Sequence, residues 1–296
     1  VVTVAVPTYT GLVGRNAVVE ISNTLDSKVR VPVSQAGGVW YVKGDDAYGL
    51  SDEESTITIP VKSDYDYTVD LPAWITGEKV KEGYNLTLAE NTTGNARKGT
   101  VTFTSERGAK KIVFLQFGIN DIAGTYEATY SVYGDNDQLV EETKTFKLVQ
   151  DVKNEELFYA EELSAIGGLV IPLKFDSETY QLSVFAGQYL GHIASKEWYL
   201  YTVVTSKAGY VHADAALAYS AIAEFDLDDE VVMPSFPFKD EKGFSFATSD
   251  GTIKSYLDGL EVYVFKSQSP SFSGGNALGY YDMFKNLSIK KVELKE

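Results

Sequence analysis

The chain has 296 residues and no cysteine, which excludes thiolate nucleophiles, cysteine-ligated zinc and disulfides. A formal charge of −16 repels nucleic acid and anionic membrane surfaces. An apolar share of 44% supports two or three domains with sizeable cores, but no apolar run reaches the roughly 18 residues of a spanning helix.

Apolar and polar positions alternate with a period of two, and helical periodicity is nearly absent. The 20 Tyr fit this bias toward strands. Strands are expected at Val2–Val6, Ala17–Ser22 and Val29–Ser34, separated by turn residues including Gly11, Gly14, Asn16, Asn23 and Asp26. This stretch, 2–38, then recurs as 84–118. Val4 and Val6 fall on Leu86 and Leu88, Arg15 on Arg97, Val19 and Ile21 on Val101 and Phe103, and Gln35 and Gly37 on Gln116 and Gly118. The second copy is one residue shorter across its hairpin turn, where loops tolerate length change. It is also preceded by 39–83, which supplies VWYV (39–42), TITIPV (56–61) and YDYTVDLPAWI (65–75). The first copy is therefore expected to be the later half of a module whose upstream strands lie ahead of residue 1. Three strands with one apolar face make no core alone, so its sheet should be incomplete or lean on the second copy. The domains expected are 1–38, 39–119 and 120–296.

Beyond Gly118–Asn120 the repeat stops and the strands lengthen. Expected strands are Thr125–Tyr133, Thr145–Gln150, Leu157–Leu163, Leu169–Phe175, Thr179–Gln188, Trp198–Thr205, Ala216–Phe225, Gly243–Thr248, Leu260–Ser267 and Leu287–Leu294. Leu169, Ile171, Leu173 and Phe175 share one face, as do Tyr180, Leu182, Val184 and Ala186. Such strands joined by polar turns predict one antiparallel barrel or sandwich. The Ala-rich stretch 213–223 is the best place for a short helix.

The second copy resembles the BACON domain, a small immunoglobulin-like β-sandwich of secreted Bacteroidetes proteins. The resemblance rests on TITIPVKSDYDYTV (56–69), the Trp74–Ile75 pair, NARKGTVTF (95–103) and the closing KIVFLQFG (111–118). The first copy keeps GRNAVVEI (14–21) and VRVPVSQAGG (29–38). It carries Ala17 where the second has Gly99; the second carries Phe117 where Ala is usual and Tyr67 where Trp is usual. The resemblance covers about 120 residues. It implies an exported protein, anchored to the outer membrane or cell surface through a lipid on an upstream cysteine. It fixes no ligand-binding residues, and some members of the family are spacers. Gly124-Thr125-Tyr126 looks like the opening strand of calycin-type barrels, by analogy only.

Sugar binding needs flat aromatic faces with polar rims. KEWYLYTVV (196–204) places Trp198 and Leu200 on one face, Tyr199 and Tyr201 on the other. GGNALGYYDMF (274–284) reads as a Gly-rich loop carrying Asn276, Tyr280 and Tyr281 to a barrel mouth. These six polar and aromatic residues (Trp198, Tyr199, Tyr201, Asn276, Tyr280, Tyr281) are the candidate ligand contacts. Trp74 reads as core, and Trp40 as packing between the copies. His192 and His212 lack a third ligand for zinc. The acidic pairs Glu155–Glu156, Glu161–Glu162 and Asp228–Asp229–Glu230 read as solvated turns. Asp135-Asn136-Asp137 and Asp226–Glu230 lack the spacing of an EF-hand. No nucleophile elbow, Walker loop or dinucleotide fingerprint appears.

The leading expectation is a non-catalytic binding protein, with no cofactor or metal. Its C-terminal domain recognises a carbohydrate or another cell-surface ligand, with the BACON-like modules as stalk. The alternative is a structural or adhesive surface protein with protein partners and no small-molecule site. A polysaccharide-acting enzyme ranks last, since no catalytic constellation is visible.

Overall fold

A computed structural model of the chain describes residues 3–7, 9, 11–23 and 27–293. The fold is all-β: a sandwich and a curled half-barrel sheet account for most of it. The one helical element among the described residues is a 3-10 turn, Ile119–Asp121. No described helix is long and apolar enough to cross a membrane. Contacts divide the chain into two units, Val1–Glu90 with Lys98–Gln116, and Asn91–Arg97 with Phe117–Glu296.

The first unit opens on a hairpin of β1 (Arg15–Ser22) and β2 (Lys28–Gln35), paired from Arg15↔Gln35 to Ser22↔Lys28. It is a two-stranded sheet of its own. Residues 3–7 form no strand, and Val2 and Asp26 lie outside the described residues. Nine strands follow: β3 (Trp40–Val42), β4 (Ala47–Leu50), β5 (Ser55–Ile59), β6 (Val61–Ser63), β7 (Tyr67–Asp70), β8 (Ile75–Val80), β9 (Gly83–Leu88), β10 (Arg97–Ser105) and β11 (Gly108–Gln116). They form sheets β4-β11-β10-β7 and β5-β9-β8 and the pair β3-β6. The expected strand at 56–61 breaks at Pro60, which has no N–H for a ladder, and the chain changes sheet there. β4 joins β11 in parallel, Val113↔Ala47 to Gln116↔Leu50.

Alternation then explains the sandwich core. Ile59, Ile75, Leu86, Leu88, Val101, Phe103, Ile112 and Phe114 all point inward and are buried. Gln116, also buried, donates its amide to the carbonyls of Glu53 and Ala89, 3.2 Å each. Trp74 packs against this core while remaining half-exposed. Trp40 does so too, 5.7 Å from Tyr67.

The repeat gives a direct contrast. Val19, Ile21, Val31 and Val33 match Val101, Phe103, Ile112 and Phe114, yet none of the four is buried. A groove of about 280 Å³ lies along this face, lined by Val4, Val6, Ala17, Val19, Val33 and Gln35. The same contrast explains Ala17. A Cβ on Gly99 would meet Pro72 Cγ at 2.6 Å and Trp74 Cζ2 at 2.9 Å. Ala17 is exposed among the described residues, so its Cβ fits there.

The second unit holds β12 (Gly124–Tyr133), β13 (Leu139–Gln150), β14 (Leu157–Glu161), β15 (Val170–Asp176), β16 (Gln181–Phe185), β17 (Tyr189–Ile193), β18 (Trp198–Ser206), β19 (Val211–His212), β20 (Ala218–Ile222), β21 (Ser235–Pro237), β22 (Phe244–Thr248), β23 (Gly251–Ser255), β24 (Leu257–Phe265) and β25 (Ala277–Lys291). The long sheet runs β17-β18-β24-β25-β12-β13-β14-β15-β16-β20, with β19 on β18 and β21 on β25. It is antiparallel throughout its registers. β22 and β23 form a separate hairpin. The Ala-rich stretch is not a helix: Asp214 caps a turn and β20 pairs with β16. Alternation there serves Tyr219 and Ala221, both buried, and outweighs the helix preference of alanine. Phe117 is buried 4.8 Å from Phe225 and 6.0 Å from Phe175, so it closes the core of this unit. That packing accounts for a phenylalanine where the resemblance leads one to expect alanine.

Candidate functional site

The site grows from the inner face of β12. Alternation puts Tyr126, Ala128 and Tyr130 on that face, all buried. Tyr130 lies opposite Glu142 of β13, and its hydroxyl donates to Glu142 Oε2 at 3.4 Å. Burial pushes the Tyr130 phenol up, and the negative charges of Glu142 and Asp282 push it further. Phe284 packs edge-on against the Tyr130 ring, centroids 5.0 Å apart, and forms the floor.

β25 supplies the opposite wall. Its register on β24 runs Val262↔Asp282, then Tyr263↔Tyr280, which leaves Tyr281 as the extra residue of a bulge. A second skip falls at Leu278, between Val264↔Gly279 and Phe265↔Ala277. Bulges re-aim side chains and increase local twist. Here the bulge leaves Tyr281 lining a cavity, its ring 6.4 Å from Trp198 at 68°. The rim is fixed by the 163–165 loop. Lys144 Nζ donates to the carbonyls of Leu163 (2.9 Å) and Ser164 (3.1 Å). Asp282 accepts from the Ser164 hydroxyl and the Ala165 N–H. The resulting cavity has a volume of about 210 Å³.

No protein-family model matches the chain. No curated protein matches it either. Among solved structures, a Bacteroides ovatus GH5 xyloglucanase in complex with a XXXG heptasaccharide aligns at 15% identity with a TM-score of 0.24, over 34% of this chain and 30% of that one. A likeness at that score carries no argument.

The six candidate residues divide. Tyr280 and Tyr281 lie in a strand, not a loop, because β25 begins at Ala277 in spite of its glycines. Both are exposed, at 51% and 42%, and both line the cavity. Trp198 supports Tyr281 from outside the lining, with Lys196 Nζ 4.2 Å over its ring. Tyr199 stacks on His192, centroids 4.3 Å apart. Tyr201 is buried against Phe265, its hydroxyl donating to the Gln268 carbonyl at 2.7 Å, and burial pushes its phenol up. Both faces of β18 are thus covered: Leu200 packs on one, and Tyr201, Val203 and Phe265 make a small core on the other. Asn276 is a clasp for its own loop: its amide donates to the Ser269 and Ser271 carbonyls and accepts from the Ser267 hydroxyl. His212 packs against Phe244 and Phe246, and no group of three or more histidines and carboxylates that could hold a metal occurs among the described residues.

Tyr130, Glu142 and Lys144 were not anticipated. The run LVEETK at 139–144 is polar, so the strand is expected to start only at Thr145. Glu142, Lys144, Phe146 and Leu148 nevertheless continue one period-two face. That unbroken alternation was the available signal.

Proposed function

We propose that this is an exported cell-surface binding protein, non-catalytic, that seats a glycan in the cavity beside Tyr281. The first unit would serve as a BACON-like stalk. The observation that carries the reading is the bulge at Tyr281, which sets an exposed ring against an acidic, aromatic-floored cavity. Exposed rings beside hydrogen-bonding groups suit a pyranose. Asp282 has both oxygens engaged by the 163–165 loop and Glu142 accepts from the Tyr130 hydroxyl, an arrangement that supports binding over hydrolysis. The stalk reading is supported by the sandwich, whose inward positions Val101, Phe103, Ile112 and Phe114, matched in the repeat, are spent on its core.

A second reading keeps the adhesive role. Val18, Ile21, Val29 and Val31 of the first hairpin are exposed, and an uncovered apolar strand pair suits a protein partner.

A glycan array probed with the whole chain tests the first reading. At least one glycan should bind, and Tyr281→Ala should weaken it about tenfold or more, as loss of a central aromatic anchor does. Silence across the array, or unchanged binding by the variant, would overturn it.

A further inference from the structure

The donors and acceptors around the cavity are unbalanced. Lys144 has already spent two N–H donors on the carbonyls of Leu163 and Ser164. Glu142 is exposed, and among the described residues it accepts the long 3.4 Å bond from Tyr130. An ionised carboxylate only accepts. Around it stand the rings of Tyr130, Tyr133, Tyr280, Tyr281 and Phe284. Ring faces carry negative quadrupole density and attract cations. The neighbouring Trp198 ring already holds an ammonium, that of Lys196, at 4.2 Å. Burial first, and then the charges of Glu142 and Asp282, push the Tyr130 phenol up.

An acceptor-rich, ring-lined, negative cavity favours a ligand that donates and carries positive charge. We infer that the group seated beside Tyr281 is a protonated primary amine on a sugar, a hexosamine without its acetyl group, with Glu142 as its counter-charge. The inference rests on the glycan reading above and narrows it: N-acetylated and neutral sugars lack the charge, and uronic acids carry the wrong one. A cavity of about 210 Å³ suits one terminal ring rather than a chain, being below the roughly 300–1,000 Å³ of drug-sized sites.

Calorimetric titration of the whole chain tests this with five probes: a glucosamine hexamer, an N-acetylglucosamine hexamer, cellohexaose, an oligogalacturonate, and the non-sugar diamine cadaverine. The glucosamine hexamer should bind tightest and the oligogalacturonate not at all. Glu142→Gln should weaken the glucosamine hexamer about tenfold or more, the scale of losing one hydrogen bond to a charged group. Glu230→Gln, at an exposed turn, should leave it within about twofold, which separates a seated amine from general attraction to an acidic chain. Neutral hexamers binding as tightly as the amine, or equal effects of the two variants, would overturn the inference while leaving glycan binding intact. Cadaverine bound through Glu142 with every sugar silent would keep the amine seat and overturn the glycan reading. Silence from all five would overturn both.

Discussion

Glu261→Gln is expected to flatten the stability of the second unit against pH. Glu261 is 3% exposed on β24, opposite Val203 and Met283, and its Oε2 has no hydrogen-bond partner among the described residues. Lys285 is close by but paired with Asp258 at 2.9 Å, and Asp258 also accepts from the Thr205 hydroxyl. Burial pushes the Glu261 carboxyl up to about 7 from an ordinary 4.5; Lys285 opposes the rise and Asp258 adds to it. A carboxyl raised in the folded state is bound to its proton there and loses it on unfolding. Its contribution is therefore fully present below about 4.5 and disappears as pH climbs through about 7. One pKa unit corresponds to about 1.4 kcal/mol, so the wild type should lose about 2–3 kcal/mol relative to the glutamine variant between pH 5 and pH 8. Denaturant unfolding of both proteins at the two pH values measures this difference directly, and the cost of burying an amide cancels. A wild-type-to-variant difference independent of pH would show that Glu261 is ionised throughout, held by Lys285.

Backbone hydrogen exchange should divide the two copies of the repeat by at least about a thousandfold. β10 and β11 carry the buried inward residues Val101, Phe103, Ile112 and Phe114, so their amides open only when the sandwich unfolds. A domain stability of about 5 kcal/mol corresponds to more than three orders of magnitude in protection. β1 and β2 make the same ladder from matching residues, but no residue of either strand is buried, and an isolated two-stranded sheet is marginal in water. Amides of Val19 and Val31 should exchange nearly as an open chain does, while those of Val101 and Ile112 persist. Comparable protection in both copies would mean that another surface covers Val19, Ile21, Val31 and Val33 in solution; dependence on protein concentration would identify it as a second copy of the chain.

Strand existence was legible wherever one face is buried, since alternation then marks every second residue. Val101 and Phe103, or Leu169 through Phe175, are of this kind. Strands with little burial left no such mark: β17 and β23 carry glycine and exposed residues, and the start of β13 is charged. The wall of the cavity was misread for a related reason. The glycines at 274, 275 and 279 signal a loop, and Gly274 and Gly275 do make a turn in the left-handed region. Gly279, at φ 133°, instead lets β25 bend within a strand that continues for 15 residues. Bulges are set by cross-strand register, which depends on β24 and β12, so no local pattern announces that Tyr281 is the extra residue. Tyr201 and Asn276 show the opposite failure. Their residue types suit a ligand, but the loop 267–276 folds back and takes up their polar atoms.

The chain contains two methionines, Met233 and Met283, and only Met283 lines the cavity beside Tyr281. Labelling the methionine methyl groups with carbon-13 and titrating the tightest array ligand therefore reads the site with one probe and its internal control. The Met283 methyl should shift in proportion to occupancy, the Met233 methyl should stay in place, and Tyr281→Ala should abolish the shift at the same ligand concentration. A ligand that binds while the Met283 signal stays fixed would contradict the placement of the site.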